Sequence, residues 1–169
     1  MAKPKQGDYG AFYEGYISKV DANNLQEAVT TYSHPLSYFY VNLPEEKANY
    51  QYAPEKWTLK DLLQHVIDTE RIMQYRLLRI GRNDSTPLPG FEENDYAISA
   101  NASSRSFVSL KEEFIALRKS TDLLIQSFNE EQLSNIGKAS GNNITANAVG
   151  YIIFGHMMHH KQIIEERYL

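Results

Sequence analysis

Four stretches of this chain repeat apolar residues by alternating threes and fours, and long connections separate them. That spacing is the seam of a helix buried along one side, and it restricts the fold more than any other feature of the sequence. Over 106–129 the seam is Phe107, Leu110, Phe114, Leu117, Leu124 and Phe128, with Thr121 filling the missing step. Ser106 suits the N-cap, and Glu112 and Glu113 suit the positive N-terminal end of the helix dipole. Over 23–43 the seam is Leu25, Val29, Tyr32, Leu36, Phe39 and Leu43, with Pro35 removing one backbone hydrogen bond, which predicts a kink. Over 58–81 it is Leu62, Val66, Thr69, Met73 and Ile80, opened by a Thr58 cap with Asp61 three residues on and closed by Gly81 and Asn83. Over 145–168 it is Val149, Ile153, His156, His160 and Ile163. A short additional helix over 8–19 is expected to pack across the outside.

Four amphipathic helices without strand-like stretches of note predict an all-α four-helix bundle, with residues 1–169 as a single domain. The connections 44–57, 82–105 and 130–144 exceed the ~2–8 residues of simple up-down bundles. Extended chain covers ~3.3 Å per residue, so 82–105 can cross the full length of a helix. The second and third helices can then run parallel, which gives an up-down-down-up order.

Composition narrows the chemistry. There is no cysteine among the 169 residues, so disulfides, thiolate ligands and a cysteine nucleophile are excluded. Any transition-metal site must use imidazole, carboxylate and water. A net charge of -4 without a long basic run disfavours nucleic acid as a partner. No apolar run approaches the ~20 residues of a membrane span. The opening MAKPKQGDYG lacks the apolar stretch of a secretory signal, so a cytoplasmic location is expected.

Three of the five histidines fall in GHMMHHKQIIEERYL. His156 and His160 occupy seam positions one turn apart on the same face, whereas His159 lies on the flank. A buried imidazole without a partner costs roughly 1–3 kcal/mol, so two stacked ones need either a hydrogen-bond network or a shared metal ion. His65, in LLQHVIDTER, is the candidate third ligand. It lies seven residues into its helix, ~10 Å from the start, and His160 lies nine residues from the end of the chain, ~13 Å by the same rise. In the up-down-down-up order those two helices are antiparallel, which puts His65 level with the other pair. Metal held there is expected to leave near or below pH ~6.5, as protons compete for the imidazoles. His34, beside Pro35, is read as structural, and Met157 and Met158 as packing residues.

Other polar groups have both a functional and an ordinary reading. Asp68, one turn from His65, could orient an imidazole or accept a proton, but Asp68 and Glu70 could equally be solvated or paired with Arg71 or Arg76. Arg76 shares the His65 stripe ~16 Å further on, too far to reach a metal, and is expected in a buried ion pair, as is Arg118. The connection 82–105 could act as a lid that brings Glu92 or Tyr96 toward the histidines, or be a proline-bracketed loop tied down by aromatics. Trp57 is expected to plug that end of the bundle or to form a wall of the pocket.

A histidine early in the second helix, within WTLKDLLQHVIDTER, and an HxxxH within GHMMHHKQIIEERYL resemble the DinB-like superfamily, as does the loop LPGFEENDYA. The resemblance runs from about Tyr50 to the end of the chain. It implies a four-helix bundle in up-down-down-up order and a divalent metal, zinc or nickel, on His65, His156 and His160. It further implies a homodimer and, in some members, a transferase or isomerase that uses a low-molecular-weight thiol. Three ligands with coordination positions left open lead us to expect a metal-dependent transferase or hydrolase acting on a small molecule. The alternative expectation is a non-enzymatic, homodimeric metal- or ligand-binding bundle with a vestigial site.

Overall fold

A computed structural model describes residues 1–169. Its long helices are α2 (Leu25–Val41), α3 (Leu59–Gly81), α5 (Phe107–Gln126) and α7 (Ala146–Arg167). Each opens on a side-chain cap of the kind that contributes about 1 kcal/mol. Asn24 accepts from the Glu27 amide, Ser106 from Ser109 and Thr145 from Ala148, and Thr58 forms a reciprocal capping box with Asp61. Helix α2 continues through Pro35.

Cross-helix contacts fix the directions. Gln64, Glu70 and Gln74 of α3 meet Arg105, Arg118 and Ser120 in that order, so α3 and α5 run parallel. Gln26 meets Ile125 while Ser33 meets Asp122, so α2 and α5 are antiparallel. Leu25 packs on Gly150 and the Tyr40 hydroxyl donates to the Met157 carbonyl at 2.7 Å, so α2 and α7 are parallel. His65, early in α3, meets His156 and His160 late in α7, while Ile80 packs on Gly137 ahead of α7, so these two are antiparallel. The order is up-down-down-up, as the connection lengths predict.

Helix α7 is buried at every position from Ala146 to Met157. That is why its amphipathic pattern is faint: a helix enclosed on all sides needs no polar face. Near two helix ends the expected seam shifts by one residue. Ile125 is fully buried and Leu124 only partly, and Ile164 is buried where Ile163 is partly exposed. Two adjacent apolar residues satisfy a three-or-four step equally well on paper, and neighbouring helices select one.

The connections hold more structure than their sequences suggest. Segment 82–105 contains α4 (Glu93–Ala100), capped by Glu92, and a short 3-10 turn at Ala102–Ser104. After the short α6 (Glu130–Ser134) comes a hairpin, β1 (Ile136–Ala139) and β2 (Asn142–Thr145), in a chain whose sequence has no strand-like stretch of note. Its tight turn uses Ser140 and Gly141 at φ 49° and 82°, the left-handed pair that matches the twist of two-residue hairpins. Leu88 joins the hairpin edge through hydrogen bonds to Lys138 and from Ser140, which fastens the 82–105 connection to it.

In place of the helix expected over 8–19 there is a 3-10 turn at Ala11–Tyr13 and a single turn, α1 (Glu14–Ile17). Helix α1 lies directly on α7 at Gly155, where an added Cβ would stand 2.1 Å from the Tyr16 carbonyl oxygen. Backbone cannot yield as a side-chain tip can. Gly155→Ala is therefore expected to cost about 1–3 kcal/mol, read as a lower urea midpoint. Gly15→Ala, with nothing within 4 Å of the new methyl, should leave the midpoint unchanged or slightly raised.

Candidate metal centre

The antiparallel pairing of α3 and α7 brings three histidines from distant parts of the chain to one point. His65 Nε2 lies 3.1 Å from His156 Nε2, and His160 Nε2 lies 3.1 Å from the same atom. All three residues are buried, with exposures of 7%, 6% and 8%. The Trp57 ring packs on His65 at 4.8 Å between centroids, and Tyr16 meets His156 edge-on at 5.5 Å. Trp57 is thus a wall against the imidazoles. His159 lies to the side, half-buried, with its ring 5.4 Å from Tyr16.

Protons alone serve this cluster poorly. A neutral imidazole nitrogen offers either one N–H or one lone pair. His156 Nε2 faces two partners, so only one of its two short contacts can be a well-formed hydrogen bond. His160 Nδ1 is also buried without any partner, a deficit that an ion on the Nε2 atoms would not relieve. Charging the rings is no remedy. Burial, and then the neighbouring His159, push His65 down to about 4. Burial, followed by His65 and His159, pushes His160 down to about 2, and burial with the adjacent imidazoles drives His156 well below its ordinary value.

Three lone pairs pointed at a common cation would relieve the conflict. Nitrogens that share an ion at ~2.0–2.1 Å stand about 2.9–3.4 Å apart for angles between square and tetrahedral. The two observed 3.1 Å separations fall within that interval, and the ligand atoms of the three residues all lie within 4.8 Å of one another. The residues present therefore fit a divalent ion with neutral nitrogen ligands.

The lowered values carry a consequence for stability. Between pH ~6.5 and about 4 the unfolded chain binds protons that folded His65 refuses. Metal-free protein is expected to lose stability as pH falls through that window and to hold it above. Urea midpoints measured at intervals from pH 7.5 to 4.5 test the sign. Burial thus places the protonation of the native imidazoles below that of an ordinary histidine.

The other candidates separate from the cluster. Asp68 accepts from Gln64 Nε2 at 2.9 Å and, with Tyr96, lines a different cleft bounded by Asp95 and Arg105. Glu92 is an exposed helix cap. Its neighbour Glu93, also exposed, lines both a cavity of about 280 Å³ that includes His65 and His156 and a cleft of about 270 Å³ that includes His160. A one-residue difference at a helix start decides which side chain borders the cavity, and sequence alone gives no sign of it.

Three ion-pair expectations resolve differently. Arg118 pairs with Glu70 at 2.6 Å and with Asp122, as its buried position predicts. Glu70 is thus neither solvated nor bound to Arg71 or Arg76. Arg76 is buried, but no carboxylate stands within ion-pair distance of it. It lines the same cavity as His65 and His156, together with Tyr13, Thr69 and Met73. His34 is exposed and stacks on Tyr38, away from the cluster.

No helix is long and apolar enough to cross a membrane. No curated protein matches the sequence. Among solved structures, the chain is similar to YfiT from Bacillus subtilis, a probable metal-dependent hydrolase with an unusual four-helix bundle topology. The two share 16% identity and a TM-score of 0.66 over 97% of this chain and 90% of that one. It is similar to the mycothiol-dependent maleylpyruvate isomerase at 15% identity and a TM-score of 0.66, over 82% of this chain and 59% of that longer one. A DinB-like protein of Bacillus subtilis, YjoA, matches at 14% identity and a TM-score of 0.57, over 84% of this chain and 87% of that one. At these identities the likeness is one of fold. The sequence pattern of the DinB superfamily matches residues 34–164, most of the chain, and the protein belongs to that family.

Proposed function

We propose that His65, His156 and His160 hold a divalent metal ion, zinc or nickel, and that the protein is a metal-dependent hydrolase or transferase of a small molecule. The observation that carries this reading is the convergence of three buried Nε2 atoms with contacts that protons cannot all satisfy. Three protein ligands leave coordination positions free, as in catalytic and not structural sites. Such an ion supplies Lewis acidity toward water, a carbonyl or a thiol. The protein's own part is to orient and to exclude water. Trp57 and Tyr16 fix the imidazole planes, and Glu93, lining both clefts, is the carboxylate proposed to accept a proton there, in the role the sequence suggested for Asp68.

A low-molecular-weight thiol is the co-substrate this reading favours. The chain has no cysteine, so any thiol must enter from solution. A fold neighbour is mycothiol-dependent, which supports the choice. The expected assembly is a homodimer, measurable by light scattering. One observation favours the non-enzymatic alternative: His160 Nδ1 lacks the outer partner that usually orients a ligating imidazole and raises its affinity.

Metal analysis of protein purified without a histidine tag is the first test, followed by a screen of cellular thiols and small esters or amides. About one zinc or nickel per chain, with turnover that a chelator removes and metal restores, is expected. Retained metal without turnover would favour the non-enzymatic bundle, and absence of metal after loading would end the proposal.

A further inference from the structure

Two arginines are buried in this protein, at 2% and 1% exposure for Arg76 and Arg118, and they are treated differently. Arg118 is neutralised by Glu70 and Asp122. Arg76 has only uncharged acceptors. Its Nη2 donates to the Pro89 carbonyl at 2.7 Å and to Ser140 Oγ at 2.9 Å. Its Nη1 has only long contacts, 3.5 Å to the Tyr13 hydroxyl and 3.8 Å to the Met73 sulfur. A guanidinium cannot shed its proton, so burying it without a counter-charge is costly unless an anion arrives.

Arg76 forms part of the cavity wall that also contains His65 and His156. Between them along α3 lie Thr69, whose buried hydroxyl has no partner, and Met73. Phe12, Tyr13 and Ile152 make much of the remainder apolar. The carboxylate on this cavity is the exposed Glu93, outside ion-pair distance of Arg76. The cavity therefore offers imidazoles, an apolar waist and one unpaired cation.

We propose that this cavity selects small molecules with an apolar body and a carboxylate, and that Arg76 Nη1 binds the carboxylate. The single positive charge matches a monoanion better than a phosphate dianion, and the Nη1 hydrogens, engaged only in long contacts, suit a carboxylate oxygen. The proposal deepens the reading given above by naming the substrate class, but the charge argument concerns Arg76 and needs no metal.

The test compares hexanoate with hexanamide, which have the same carbon chain and differ in charge, by calorimetric titration at pH 7.5. The protein is used as purified and as the His156→Ala variant, in which carboxylate binding to a metal is removed. Hexanoate is expected to bind about tenfold or more tightly than hexanamide in both, from one charge-assisted contact. Arg76→Gln should erase the preference, and Arg76→Lys should keep part of it. If the glutamine variant fails to fold, the lysine variant and the ligand pair still decide: a lysine variant binding hexanoate as tightly as the parent would show that Arg76 Nη1 is not the carboxylate's partner. Equal binding of the two ligands, or no binding of either, overturns the proposal. So does a preference lost in His156→Ala but kept in Arg76→Gln, which would put the carboxylate at the histidines. A protein that retains no metal yet keeps the Arg76-dependent preference would sink the metal reading and leave this one standing.

Discussion

His156→Ala is expected to remove bound metal entirely, whereas His159→Ala is expected to leave it in place. His156 is the hub of the cluster, since its Nε2 is the atom that both other imidazoles approach at 3.1 Å. Removing it leaves His65 and His160 facing across a gap with two ligands in place of three, too few for a retained ion at ordinary free-metal levels. His159 sits one position before His160 but on the flank, beside Tyr16 and near Lys19. Metal-to-protein ratios by mass spectrometry should fall from about one to near none in the first variant and stay near one in the second. Folding should survive both, because the emptied site borders a cavity and the substitution adds no bulk. Circular dichroism would verify that. Similar ratios for the two variants would show that the face of α7 directed at the site has been misassigned.

Glu70→Ala is expected to be the most destabilising single truncation, by about 3–5 kcal/mol. For a chain of this size that corresponds to a fall in melting temperature of about 10 °C. The side chains of both members of the Glu70–Arg118 pair are buried. The pair is not itself a strong source of stability. Burial raises the Glu70 carboxyl while Arg118 pulls it down, with the net direction upward, and Glu70 Oε2 and Arg118 Nε remain without partners. Removal of one member, however, strands a guanidinium beside Phe154 with only Asp122 to answer it. Replacing both, as Glu70→Leu with Arg118→Met, should recover most of the loss. If the single variant melts within a degree or two of the parent, water must reach this part of the interior.

The sequence disclosed the helices and their order better than it disclosed the connections. Alternating threes and fours mark α2, α3 and α5, whose faces differ in polarity, and the same steps placed His156 and His160 on a shared stripe. The length of 82–105 implied the parallel pair. The hairpin was hidden because Ile136 is exposed, Gly137 is pressed against Ile80, and four-residue strands leave no periodicity to read. The Ser140–Gly141 turn was its one visible mark. Helix α4 has no buried residue, so no apolar stripe announces it. Arg76 was expected in an ion pair because a buried cation ordinarily has one. Whether a carboxylate reaches it depends on Pro89 and Ser140, brought there by segments far along the chain, and no local pattern records that.

The parallel pairing of α2 with α7 has a kinetic consequence. Tyr40 and Met157, joined by a buried hydrogen bond, are 117 residues apart, and α7 supplies the central surface on which α1, α2 and α3 all rest. A simple up-down bundle can zip together from neighbouring hairpins. Here the partners most needed for closure meet only after long loops have been drawn together, which raises contact order and slows the search. During synthesis, α2 and α3 emerge well before the helix that covers them, so their apolar faces stay open to aggregation until α7 arrives.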